Sequence, residues 1–112
     1  MTRGDLVIVS APGDYGKPRP SVVIQSDRFD GNGSLTVLLM TTKVKPDSPL
    51  LRYNIRPAEG NGLHSPTDVM IDKVFTIPRE RMGQLIGRLS SSQMVEITAM
   101  LAVFLGIRGK QS

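Results

Sequence analysis

The sequence predicts an α+β chain, mainly β: a small antiparallel barrel with one C-terminal helix. Three observations carry that prediction. Short apolar runs recur from Leu6 to Leu89, too short for helices and of the length strands need. Each run is bounded by Gly, Pro, Asn or Asp, the residues that turns require. Only the last element has helical spacing. Short strands joined by turns and followed by one helix leave a barrel-like sheet as the simplest way to bury every run.

The elements follow in order. Leu6-Val7-Ile8-Val9 is a buried strand after Gly4-Asp5. Residues 10 to 18 form a loop with two Pro and two Gly, and Pro20 to Gln25 is the second strand. Arg19 stands between Pro18 and Pro20, and the proline that follows pushes it out of the α region. Asp30-Gly31-Asn32-Gly33 is a turn, and Leu35 to Met40 is the third strand, ending in Thr41-Thr42. After a loop over Lys43 to Pro49, Leu50 to Ile55 alternates as a weaker strand. Arg56 to Pro66 is loop. Val69 to Ile71 and Val74 to Ile77 read as two strands, or as one kinked at Asp72-Lys73. Pro78 to Arg81 suits a short helical turn, and Gly83 to Leu89 a further strand.

The last element is the clearest. Ser90 and Gln93 have the spacing of a capping box. Apolar residues then fall at 94, 97, 101, 104 and 105, on one helical face, and Gly106 supplies the stop. Val95, Ala99, Ala102 and Val103 widen that face beyond what one sheet covers, which points to self-association.

Composition narrows the function. A chain of 112 residues suits one domain, here taken as 1–112, and can bury roughly two-thirds of its unfolded surface. It has no cysteine, so disulfides and thiolate metal sites are excluded, in keeping with a reducing, cytoplasmic setting. No apolar run is long enough for a signal peptide or a bilayer span. Fourteen Lys and Arg against ten Asp and Glu give a net charge of +4. The cations cluster in the first half, where Lys17, Arg28 and Lys43 lie in loops or at strand ends and can meet phosphates. A solvated basic surface explains the same charge. Two Tyr, three Phe and no Trp give little support to a base-stacking platform.

Known catalytic patterns are mostly excluded. The single histidine, His64, cannot form a histidine pair within one chain. Carboxylates are scattered rather than paired, and no zinc, phosphate-loop or serine-esterase motif occurs, so neither metal nor cofactor is expected. What remains is Arg19 and Thr41 at the ends of adjacent strands, with Asp14, Lys17 and Asp72 in nearby segments. A guanidinium and a hydroxyl together can stabilise a pentacoordinate phosphorus. RNA carries its own nucleophile, the 2′-hydroxyl, so positioning is most of the work. The structural alternatives stand beside this. Arg19 can pair with Asp14, Thr41 can be an ordinary β-branched strand residue, and Asp72 can cap a turn.

Taken in order, "RGDLVIV" (3–9), "GDYGKPRPSVVIQSD" (13–27), "TVLLMTT" (36–42), "DVMIDKVFTIPRERMGQLIGRLS" (68–90) and the apolar helix resemble the MazF/PemK toxins. These are the toxin components of type II toxin–antitoxin pairs, and the resemblance spans nearly the whole chain. It implies an SH3-like or CcdB-like barrel and a homodimer. It also implies metal-independent cleavage of single-stranded RNA to a 2′,3′-cyclic phosphate and a 5′-hydroxyl, and a small acidic antitoxin as partner. The arginine before proline falls on Arg19 and the threonine ending the third strand on Thr41, with Thr42 one residue away. The supporting acidic residues fall on Asp14 and Asp72. Lys17, Thr42, Lys43 and Arg28 are the RNA-contacting candidates. Two departures stand out: Lys73 replaces a usual glutamine, and Pro18 replaces a histidine that some members carry before the arginine. Two alternatives share the fold: a non-catalytic toxin that binds and poisons DNA gyrase as CcdB does, and a degenerate regulatory module. The C-terminal residues, Ile107 to Ser112, lack the terminal aromatic–Gly–Ile pattern of CcdB.

Overall fold

A computed structural model describes residues 1–10 and 17–107. Six strands are present: β1 (Asp5–Val9), β2 (Arg19–Val23), β3 (Ser34–Thr41), β4 (Arg52–Ile55), β5 (Thr67–Pro78) and β6 (Met82–Arg88). Helix α1 (Ser91–Leu105) follows, and short 3-10 turns occupy Asp27–Phe29 and Arg79–Arg81. The strands form one antiparallel sheet in the order β4-β5-β3-β2-β1-β6.

The central position of β3 explains its composition. Its apolar run Val37-Leu38-Leu39-Met40 does not alternate because both faces are buried. Leu38 and Met40 join Leu6, Val22, Val69 and Ile71 on the face that α1 covers. Leu35, Val37 and Leu39 join Val7, Val9 and Val23 on the other. The expected strand pair at 69–77 is one strand, β5. Its irregularity falls where the kink was expected: Leu38 pairs with Val74 but Met40 with Val69, so β5 carries three more residues than β3 over that step. Several boundaries moved by one or two residues. β2 begins at Arg19 rather than Pro20, and the weak strand expected from Leu50 begins only at Arg52.

The barrel is not closed by strand pairing, since the edge strands β4 and β6 are not hydrogen-bonded neighbours. The loop between β4 and β5 spans the gap instead, and the Arg88 amide donates to the Gly60 carbonyl at 2.9 Å. The crossing is very tight. Gly62 has φ +68°, and a methyl group there would stand 2.1 Å from the Ile86 carbonyl oxygen. A methyl on Gly87 would stand 2.4 Å from Asn61 carbon. Only glycine tolerates the positive φ and this approach.

The N-terminal Arg3-Gly4-Asp5 serves the fold. Gly4 turns with φ +96°, and the Asp5 carboxylate accepts from the Thr2 amide at 2.8 Å and from Arg88 at 2.6 Å. That ion pair staples β1 to β6. Arg3 donates to the Ile24 carbonyl and to the Thr98 hydroxyl, linking the N-terminus to α1.

Helix α1 starts with the expected capping box, both of its hydrogen bonds formed, and ends on Gly106 at φ 72°. Met94 and Ile97 are its buried residues. Burying Ile97 fully contributes about 1.5–3 kcal/mol. Phe104 and Leu105, expected on the core face, are 46% and 53% exposed, because the helix runs past the sheet it packs on. Phe104 joins Val103 and Leu50, exposed at 74% and 75%, in one apolar patch.

Candidate active site

The sheet register decides which candidates meet. Ser21 pairs with Leu39, Val22 with Leu38 and Val23 with Val37. Carried two residues beyond Ser21, the same register sets Arg19 across from Thr41. Both are still in strands, since Arg19 also pairs with Val9 on β1 and Thr41 with Asp68 on β5. Directly opposed residues in an antiparallel pair share a face. The β2–β3 ladder stops at Ser21. Pro20 has no amide hydrogen with which to continue it. The strand ends therefore lie beside each other without a ladder bond, with a cation on one and a hydroxyl on the other.

Each side chain is held by its neighbours. Arg19 is half-buried, and Ser21 anchors the strand behind it by donating from its buried hydroxyl to the Val7 carbonyl at 2.9 Å. Thr41 is the last residue of β3 and is buried, and its hydroxyl oxygen accepts from the Lys43 amide at 3.1 Å. Thr42 lies just past the strand and is exposed. Lys17 and Lys43 are exposed at the same end of the sheet as Arg19 and Thr41.

Other candidates lie apart. Arg28 sits in the 3-10 turn that follows β2, at the opposite end of the β2–β3 hairpin from Arg19. A five-residue strand separates them, roughly 16 Å at the usual rise. Asp72 is exposed in the irregular stretch of β5, four residues along the chain from Asp68. Asp14 lies outside the described residues, as does its pairing with Arg19. His64 is exposed in the β4–β5 loop. Among the described residues, no group of three or more His, Asp or Glu is arranged to hold a metal ion.

Beside Thr41, on the β4 side, lies a cleft of about 430 Å³, lined in part by Lys45, Arg52, Asn54, Arg56 and Asp68. Three of those five are cations. Asp68 is 1% exposed and faces Thr41 directly. Sequence reasoning passed over it: Asp68 falls between the loop ending at Pro66 and the strand expected from Val69, and the β3–β5 pairing shows that it is a buried strand residue.

The chain is thus a small, basic, mainly β fold with one C-terminal helix, whose register sets an arginine across from a threonine at one end of the sheet. The comparisons with known proteins give it a family. A model of the PemK-like, MazF-like toxins of type II toxin–antitoxin systems matches residues 2–105, and the chain belongs to that family. A probable endoribonuclease MazF of Mycolicibacterium smegmatis is 47% identical over 110 residues, covering 97% of this chain and all of the relative. Among solved structures, the Mycobacterium tuberculosis toxin MazF-mt6 superposes with a TM-score of 0.76 at 22% identity, covering 93% of this chain and 99% of that one. A mycobacterial endoribonuclease in complex with its cognate antitoxin gives 0.77 at 17% identity, covering 97% and 98%. These two structures share the fold with this chain. The match is to MazF-like toxins, so the gyrase-poison alternative is not favoured. Part of the C-terminus weighed against it, residues 108 to 112, lies outside the described residues.

Proposed function

We propose that this toxin is a metal-independent endoribonuclease that cuts single-stranded mRNA in the cytoplasm. What supports the reading is the β2–β3 register, which, carried two residues beyond Ser21, sets Arg19 across from Thr41 at one end of the sheet. A scissile phosphate seated between them receives paired donors from the Arg19 guanidinium and one from the Thr41 hydroxyl. The RNA 2′-oxygen attacks phosphorus as the bond to the 5′-oxygen breaks. One proton leaves the 2′-hydroxyl, and one is delivered to the departing oxygen. The products are a 2′,3′-cyclic phosphate and a 5′-hydroxyl, with no water consumed. Negative charge concentrates on the non-bridging oxygens at the transition state, where the two donors point. Asp14 and Asp72 are assigned to orienting Arg19 or the bases. Lys17, Thr42 and Lys43 form the rim that meets the backbone, and Arg28 meets RNA only on a longer path.

The 47% identity to a probable endoribonuclease supports this reading. A cognate acidic antitoxin would cover the basic rim, and the mycobacterial relative is itself bound to its cognate antitoxin. The apolar patch of Leu50, Val103 and Phe104 supports a homodimer built through α1. No helix among the described residues is long and apolar enough to cross a membrane.

The test is cleavage of a long RNA in EDTA, with mapping of new 5′-hydroxyl ends. Wild type should cut at a few sequences. Arg19→Ala should cut about 10²–10³-fold more slowly with its fold intact. Equal cleavage by the variant would remove Arg19 from the site.

A further inference from the structure

Asp68 is a buried carboxylate that the cleavage mechanism above does not use, yet it gathers three donors. Its Oδ2 accepts from the Lys45 amide at 2.8 Å and from Arg52 Nη1 at 3.3 Å, and its Oδ1 accepts from Asn54 Nδ2 at 3.0 Å. Arg52 Nη1 also donates to the Lys43 carbonyl at 3.0 Å. One carboxylate therefore grips both ends of the Lys43–Lys45 segment, directly at one end and through Arg52 at the other. Inside that segment, the Lys43 amide donates to Thr41 Oγ1 at 3.1 Å. The hydroxyl oxygen is thus occupied as an acceptor, and among the described residues its hydrogen has no acceptor. A hydroxyl held this way is poised to donate outward.

We infer that Asp68 is a positioning residue for RNA cleavage. By fixing residues 43–45, it makes the Lys43 amide hold the Thr41 hydroxyl in the orientation from which it donates to the scissile phosphate. The inference rests on the role given to Thr41 above. Stability alone is a weak reason for this arrangement, since a buried ion pair often does no better than apolar residues of the same shape. What the carboxylate adds is geometry: three donors, two from β4 and one from the loop after β3, converge on one group directly opposite Thr41. Geometric control of this kind acts on the chemical step more than on binding.

The experiment is a double-mutant cycle on the full-length protein, with a fluorogenic RNA oligonucleotide containing the cleavage sequence, below the melting temperature of every variant. Asp68→Asn keeps the shape but sets a donor where an acceptor is needed. Its kcat should fall roughly tenfold or more, with KM within about twofold of wild type. In a Thr41→Val background the same change should alter kcat by less than about twofold, because the group it acts through is gone. If Asp68→Asn fails to fold, Arg52→Gln replaces it in the same cycle, with the same expectation. An equal loss of kcat in both backgrounds, or no loss in the first, would overturn the positioning role while leaving Thr41 in the site. Wild-type kcat in Thr41→Val alone would instead bring down the reading of the site itself.

Discussion

The register of β2 against β3, carried two residues past its last pair, sets Arg19 across from Thr41, 22 positions away in the chain. Thr42, its neighbour, lies past the strand end. Thr41→Val should therefore slow RNA cleavage about 10- to 100-fold, the order expected for one lost donor to a developing oxyanion. Thr42→Val should leave kcat within about twofold of wild type and act mainly on KM. Single-turnover and steady-state rates on one RNA oligonucleotide separate the two. The reverse ranking would move the catalytic hydroxyl to Thr42.

The patch formed by Leu50, Val103 and Phe104 is the dimer contact in the proposed assembly. Phe104→Glu buries a charge there if the contact exists and is harmless if it does not, because Phe104 is half exposed in the isolated chain. Light scattering should then report about half the wild-type mass, with an unchanged circular dichroism spectrum. A full-mass Phe104→Glu protein would place the dimer contact elsewhere.

Tyr53 donates to the Glu96 carboxylate and so ties β4 to α1. Burial first, then this hydrogen bond and the carboxylate charge, push Tyr53 from 10.0 up to about 12. The folded chain thus holds the phenolic proton more tightly than the unfolded chain does. The stability linked to it is fully present below pH 10 and is lost as pH rises from 10 towards 12. The gap in melting temperature between wild type and Tyr53→Phe should be constant at neutral pH and close over that alkaline range. A gap that widened with pH would contradict the assignment.

Gly62→Ala should destabilise the chain by about 2–4 kcal/mol, from positive-φ strain together with the clash on the Ile86 carbonyl. Gly31→Ala is the control, because an added methyl there meets nothing within 4 Å. Urea denaturation of both variants checks the difference. Equal midpoints would mean that the β4–β5 loop does not close the barrel in solution.

Much of the fold is local and so can be read along the chain. The capping box of Ser90 and Gln93, the stop at Gly106 and the turn at Gly4 each depend on residues within a few positions of one another. The unbroken apolar run of β3 likewise announces a strand buried on both faces. Part of the site is visible in the same way, since an arginine between prolines and a threonine at a strand end are features of short segments.

Register decides the rest, and register is not local. A one-residue slip moves every side chain to the other face, so pairing is fixed by burial summed over whole strands. The pairing of β3 with β2 and β5, offset by three residues within β5, brings residues 19, 41 and 68 to one end of the sheet and leaves Arg28 at the other. The same pairing makes Asp68, which the sequence leaves unassigned, a buried clamp on the segment after Thr41. The strands, the helix and the residue types fit for phosphate are written in local pattern. Which of them stand together is settled by long-range pairing, because a strand pattern repeats every two residues and carries no record of its partner.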